Sequence, residues 1–518
     1  MTAIEREHGR LMLAGRRAVA SAAMGASAAT AAARAAGPLR RRNAGVPALL
    51  GALAAAAIAL GVYAAFGGHA FLNYDSSYAL AWGADLAAGR TPQYDLPVAP
   101  TPHPLVIALG VVLAPLGAAA EGVFLALVLL AVGALAVGLF RLGASLYAWP
   151  VGILAAAIVL TRQPILNYGT RGYIDLPAIA LIVWAAVLEA RRPRRGASVL
   201  VLLALAGLLR PEAWLFAAAY WLWTAPAREW AGGVRLAPLA LAAPILWAAS
   251  DLLVTGDPFW SLHGTSSLAV ELERPTGLLA LPGVVPFRLG EILRLPELIA
   301  AVLGFAAGLV WLRRATLLPT AIALLNAVAL AAFALAGLPL LGRYLFLAAC
   351  MLALFAGVGA FGFTALPSEA GSLRRRWMTA GIAVLAALVA FFPVQLGRLD
   401  ALRADIAARD RVQEELHALV RLPLAARALA RCGPLYLPNH RNVPSLALWT
   451  DRPPGEFVSA QLRQPPVRGV FLAPANAGVA RLSILDPKDP RRLDARPPPV
   501  YRPIARNRAW ILYGACPA

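Results

Sequence analysis

Lysine is almost missing from this chain: Lys488 is the only one, so 46 of the 47 basic residues are arginine. Charge of any kind is scarce, at 14% of 518 residues, whereas 60% are hydrophobic. Mean hydropathy is +0.66. A disordered chain, a collagen-like fibre and a small disulfide scaffold are all excluded by this balance. So is one large soluble enzyme, because so much apolar surface could not be hidden from water. Cysteine is also rare. Cys350, Cys432 and Cys516 show no C-x-x-C spacing, which leaves a zinc or dithiol redox site without support.

What is present is a series of long apolar runs, the pattern of a polytopic membrane protein. We read eleven helices: Ala44–Gly68, Gly122–Phe140, Ser145–Thr161, Tyr173–Ala190, Gly196–Leu209, Ala213–Ala225, Leu236–Val254, Leu298–Leu312, Ala315–Ala336, Tyr344–Thr364 and Trp377–Val394. Pro104–Leu116 is short and broken by Pro115, so it reads as a juxtamembrane helix rather than a span. The formal net charge of +20 would suggest a nucleic-acid partner in a soluble protein. In this chain the arginines cluster between apolar runs, as in cytoplasmic loops, and no nucleic acid is expected.

Arginine placement sets an expected orientation. With Arg40-Arg41-Arg42 inside, Arg141, Arg191–Arg195, Arg228, Arg235, Arg313-Arg314 and Arg374–Arg376 also fall inside. The fold class expected is therefore an all-α polytopic membrane domain with a small C-terminal extracytoplasmic α/β domain. Residues 1–43 read as a disordered Ala/Arg-rich cytoplasmic tail rather than a signal peptide, residues 44–394 as the membrane domain, and residues 395–518 as the outer domain. The outer domain opens with a charged helical stretch, Leu399–Arg431. Strand-like runs follow at Pro434–Leu437, Ser445–Trp449, Gly469–Leu472 and Ala509–Tyr513. Cys432 and Cys516 bracket it, and an oxidising outer compartment favours a bond between them over two free thiols. Cys350, inside an apolar run, reads as a core residue.

Ionisable residues near membrane depth need a reason. Most of them lie at the outer helix ends. Asp75 follows the first span in Asn73-Tyr74-Asp75-Ser76-Ser77-Tyr78, and its two readings are a helix N-cap or a reactive carboxylate. Tyr78, Trp82 and Asp85 fit an amphipathic interfacial turn. His103 sits between Pro102 and Pro104. Arg171-Gly172-Tyr173-Ile174-Asp175, Leu209-Arg210-Pro211-Glu212 and Gly342-Arg343-Tyr344-Leu345 complete the set.

Together these segments resemble the outer loops of the GT-C glycosyltransferases, in the branch containing protein O-mannosyltransferases and the lipid A aminoarabinose transferase. The resemblance runs from Ala44 to Thr364 in matching order. It departs in one place: the family often carries two adjacent acids in the first loop, and here Ser76 follows Asp75. The C-terminal domain matches no module of that family we can name. The resemblance implies a transferase that takes a sugar from a polyprenyl-phosphate donor at the outer face of the plasma (inner) membrane. A cell-envelope glycan, lipid or protein would accept it. Asp75 would then be the general base, and Arg343, with Arg210 and Arg171, would bind the donor phosphate. His103, Tyr78 and Glu212 would contact substrate, and Asp175 would hold a divalent cation, Mg or Mn, if the reaction uses one. Two other classes fit the composition: a transporter or flippase of a lipid-linked saccharide, and a non-catalytic cell-envelope assembly protein. No internal repeat supports transport.

Overall fold

The computed structural model describes residues 45–225, 229–463, 465, 468–484 and 496–516, so the expected N-terminal tail, residues 1–43, lies outside the described residues. The chain divides after Ala54. The described part of the first unit is helical, and the second unit, residues 55–518, carries the remaining elements.

Every one of the eleven apolar segments is helical. The helices are Gly45–Ala65, Ala120–Leu146, Trp149–Leu160, Asp175–Arg191, Ala197–Leu209, Ala213–Thr224, Ala237–Thr255, Leu281–Trp311, Arg313–Leu335, Phe346–Phe361 and Gly371–Arg421. By length and composition, seven helical stretches among the described residues can cross a membrane. An eighth can if Trp149–Leu160 and Gln163–Thr170, bent by 66°, form one span. Ala197–Leu209, with 13 residues, reaches only about 20 Å at 1.5 Å per residue, short of a hydrocarbon core of about 30 Å. Phe346–Phe361 is the central helix: Ala349, Cys350, Met351, Ala353 and Leu354 are fully buried in the largest core.

Pro104–Leu113 is a separate helix, as its sequence suggests. A 3-10 turn, Ala114–Ala119, cuts it from Ala120–Leu146, with Gly117 at φ 53°. It crosses helix Tyr74–Ala87 closely: a Cβ on Gly83 would lie 2.6 Å from the Gly110 backbone.

The last apolar helix does not stop at Val394. It runs unbroken from Gly371 to Arg421, so the expected boundary at residue 395 falls inside a helix. Pro423–Arg431 continues it after a break at Leu422. A five-stranded mixed sheet follows, made of β1 (Leu435–Leu437), β2 (Phe457–Ser459), β3 (Gly469–Pro474), β4 (Arg502–Arg506) and β5 (Trp510–Ala515). The order is β2-β1-β3-β5-β4, parallel between β1 and its two neighbours and antiparallel beyond β3. Ser445–Trp449 is not a strand. It lies in helix Val443–Thr450, where Pro444 occupies the first turn and every residue from Val443 to Ala447 is buried. Cys432 and Cys516 are disulfide-bonded, 84 positions apart.

The sheet shares its core with the first long loop: Leu437, Leu446 and Leu472 belong to one cluster with Tyr78, Trp82 and Ile107. Polar contacts fix the docking. Trp449 Nε1 donates to Glu121 Oε2 at 2.7 Å, Gly455 N to Gln93 Oε1 at 2.8 Å, and Arg90 Nη2 to Asp451 Oδ1 at 2.9 Å.

Candidate functional site

The helix that carries Asp75 begins at Tyr74, and its cap is Asn73. The Asn73 Oδ1 accepts from Asp75 N at 2.9 Å and from Ser76 N at 3.3 Å. Capping therefore falls to Asn73, and the Asp75 carboxylate is free for other work. Asn73 also stitches two loops together. Its backbone N–H and its Nδ2 both donate to Arg171 O, at 2.8 and 3.0 Å, while Ser76 Oγ donates to Gly172 O at 2.7 Å. Gly172 is needed there: it sits at φ +63°, and a Cβ would lie 2.6 Å from a Leu72 methyl.

Four helix ends then bring charge together. Asp75 Oδ2 accepts from Arg343 Nη1 at 3.2 Å. Arg343 Nε lies 3.8 Å from Asp175 Oδ1, and the same oxygen lies 3.4 Å from Arg210 Nη1. Arg210 Nε donates to Glu212 Oε1 at 3.0 Å. Asp175 is the first residue of its helix and caps nothing, since the cap position is Ile174 and no side-chain cap bond forms. Burial is graded. The Asp175 and Arg210 side chains are 4% and 7% exposed, whereas Asp75 and Arg343 retain 26% and 15%. The first pair is thus sealed in protein and the second is reachable.

Aromatic rings hold the guanidiniums in place. Arg210 stacks over Tyr344 at 4.6 Å, and Arg343 and Arg171 share the Tyr173 ring at 5.8 and 5.4 Å. Arg171 is therefore beside the network, without an ion pair among the described residues.

Several polar atoms of this region are buried and have no hydrogen-bond partner: Arg343 Nε, Arg171 Nε, Asp175 Oδ2, Glu212 Oε2 and His103 Nδ1. Buried polar groups are normally satisfied, so this concentration of unmatched atoms at one place sets the network apart from the rest of the core. His103 is buried just before helix Pro104–Leu113, edge-on to Trp247 at 5.6 Å. Burial first, then the charges of Arg210 and Arg343, push its pKa down to about 3. It is a neutral imidazole beside the network: one ring nitrogen donates to the Leu209 backbone, which leaves Nδ1 to accept. Beside Arg210, Glu212 and Asp175 outweigh the burial that opposes its charge, and hold the guanidinium protonated.

Tyr78 is a core side chain, 2% exposed between Tyr74 and Trp82, and the fold does not bring it to the charged network. Asp175 faces two cations, Arg210 and Arg343. Among the described residues no group of three His, Cys, Asp or Glu could hold a metal, and both aspartates are already matched by guanidiniums. Sequence reading missed Asn73, Tyr173 and Tyr344, although the last two adjoin the motif arginines. It also missed His440 of the C-terminal domain, which meets Tyr74 edge-on at 5.4 Å and has no local sequence signal.

No protein-family model and no curated protein matches the chain. Among solved structures it is similar to ArnT from Cupriavidus metallidurans bound to undecaprenyl phosphate. That match has 15% identity and a TM-score of 0.49, and it covers 88% of this chain and 96% of that one.

Proposed function

We propose that this chain is a GT-C-type membrane glycosyltransferase that moves a sugar from a polyprenyl-phosphate donor to a cell-envelope glycan, lipid or protein. The contact between Asp75 and Arg343 carries the reading, because it sets a candidate base against a candidate phosphate ligand in one reachable place. In this mechanism the acceptor hydroxyl attacks the anomeric carbon and gives its proton to Asp75. The bond from that carbon to the phosphate oxygen breaks, and the phosphate leaves with the electron pair. Arg343, planar and always charged, holds the departing oxygens, assisted by Arg171. Moving the guanidinium from carboxylate to phosphate frees Asp75 to take the proton. Asp175 and Arg210 form the sealed floor that fixes Arg343, with Glu212 and His103 beside it. No step is routed through a metal ion.

We further propose that the site and the C-terminal domain lie on the extracytoplasmic side of the inner membrane. The arginine clusters at the opposite helix ends support this orientation. The test is transfer by the purified chain over a panel of polyprenyl-phosphate sugars and envelope acceptors. Sugar transfer with release of polyprenyl phosphate is expected. Translocation of a lipid-linked saccharide across vesicles without transfer would contradict the reading and favour a transporter.

A further inference from the structure

Away from that network, several helix ends meet at one level. Gly45–Ala65 ends at Ala65, Trp149–Leu160 at Leu160, and Leu281–Trp311 is interrupted at Arg294. The apolar stretch of the long helix gives way to polar residues from Gln395. Side chains tie these ends together. Arg162 Nη1 donates to Glu297 Oε1 at 2.6 Å and to Leu293 O at 3.1 Å. Arg398 Nη2 donates to Gln163 Oε1 at 3.3 Å, and Arg403 Nε donates to Ala65 O at 2.5 Å. Arg294 interrupts its helix at φ 70°, a conformation that residues other than glycine rarely adopt.

Charge at this level is unbalanced. Arg162 is matched by Glu297. Arg294 and Arg398 form no ion pair among the described residues, and Arg294 Nε and Arg398 Nη1 are buried without a hydrogen-bond partner. Arg294 also lies within electrostatic range of both Arg162 and Arg398; the one acid acting on Arg398, Glu291, is itself paired with Arg288 at 2.6 Å. Unmatched donors clustered where apolar helices end call for an anion.

A groove of about 290 Å³ adjoins the cluster, lined by Ile58, Val62, Phe66, Leu160 and Leu399, with Arg403, which is paired with Asp400, as its one charged lining residue. Leu160 and Leu166 flank the bend that carries Arg162 and Gln163, and Leu399 follows Arg398 in the chain. An apolar channel beside unmatched guanidiniums has the chemistry of an amphiphile with an anionic head. We propose that it binds one anionic membrane phospholipid, with an acyl chain in the groove and the phosphate on Arg398 and Arg294. A net-anionic headgroup fits better than a zwitterionic one, because Arg162 already occupies the carboxylate of Glu297 that an ammonium would seek. No residue of this site belongs to the Asp75 network, so the proposal stands apart from the transferase reading.

Two kinds of variant test it. Arg294→Gln with Arg398→Gln removes the charge. Gly61→Phe fills the groove: Gly61 lines it, and a Cβ there meets no atom within 4 Å. The full-length protein is extracted from vesicles of equimolar phosphatidylglycerol and phosphatidylcholine, and the retained lipid is counted by native mass spectrometry. Retention of phosphatidylglycerol should exceed that of phosphatidylcholine by about tenfold or more, and each variant should lower it by a similar factor at an unchanged melting temperature. Should the double arginine variant fail to fold, Gly61→Phe decides. Equal retention of the two lipids would overturn the proposal. So would unchanged retention in the variants, displacement of the lipid by inorganic phosphate with Gly61→Phe behaving like the parent, or a tenfold preference for polyprenyl phosphate over phosphatidylglycerol.

Discussion

Arg343 Nη1 reaches Asp75 Oδ2 at 3.2 Å across 268 positions of chain, and it does so on the more open side of the charged network. One cation thus touches both Asp75 and the sealed Asp175. In the proposed mechanism an anionic ligand arriving from the open side would meet Arg343 first and compete with Asp75, while Asp175 would keep the guanidinium in place.

The cap and the carboxylate are separable. Asn73→Ala should destabilise the chain by about 1–2 kcal/mol through loss of the cap, and it also removes the side-chain bond to Arg171 O. Asp75→Asn should cost less than about 1 kcal/mol, because the pair it alters is partly solvated. Thermal unfolding of the two variants side by side checks this order.

Removing Arg210 strands two acids. Asp175 and Glu212 both lean on it, and it is almost wholly buried. Arg210→Ala should cost about 3–5 kcal/mol, the range for a broken buried pair. Arg210→Lys should recover only part of that loss, since one ammonium cannot face both carboxylates as the guanidinium fork does. Denaturant titration of the three proteins gives the comparison.

His103 makes stability depend on pH. Its pKa lies at about 3 in the folded chain against an ordinary 6.5, so between these values the unfolded state binds the proton and the folded state does not. Stability is therefore lost as pH falls below the ordinary value, by about 1.4 kcal/mol per unit. His103→Gln removes that term. The melting temperature of the parent should fall relative to the variant between pH 6.5 and pH 4.5 and track it between pH 7 and pH 8.

The orientation can be read by labelling. With Cys350 buried and the other two cysteines bonded, cysteines placed at Arg192 and at the exposed Leu462 are the reporters. An impermeant thiol reagent added from one side of sealed vesicles should reach only one of them. Labelling of both from the same side would refute the arginine-based orientation.

Much of this site is legible in the sequence because ionisable residues at helix ends on one face have few other places to go. Asp75, Asp175, Arg210 and Arg343 come from four such ends and meet. What the sequence hides is which neighbour does the capping: Asn73 and Asp75 are equally good cap formers, and the Arg171 carbonyl that fixes Asn73 lies 98 positions away. Tyr78 has helical spacing with Trp82, but only the docked sheet reveals that this face is core. Helix Val443–Thr450 looks like a strand because its apolar residues are continuous, and a short run of that kind has no period to read. β2 (Phe457-Val458-Ser459) holds only two apolar residues, and β4 holds two arginines and a proline among its five, so neither shows a strand-like apolar run. The last apolar helix outruns the hydrophobic stretch because hydropathy ends at Val394 while helix-forming residues continue to Arg421.

The most direct test of the account is donor binding and single-turnover transfer by purified Asp75→Asn and Arg343→Ala. Asp75→Asn should bind the polyprenyl-phosphate sugar and transfer it about 10²–10⁴-fold more slowly, the usual contribution of a general base. Arg343→Ala should bind the donor poorly and lose about 3 kcal/mol of transition-state stabilisation, as for one lost electrostatic donor. Transfer by Asp75→Asn at the parental rate would contradict the central claim that this carboxylate takes the acceptor's proton.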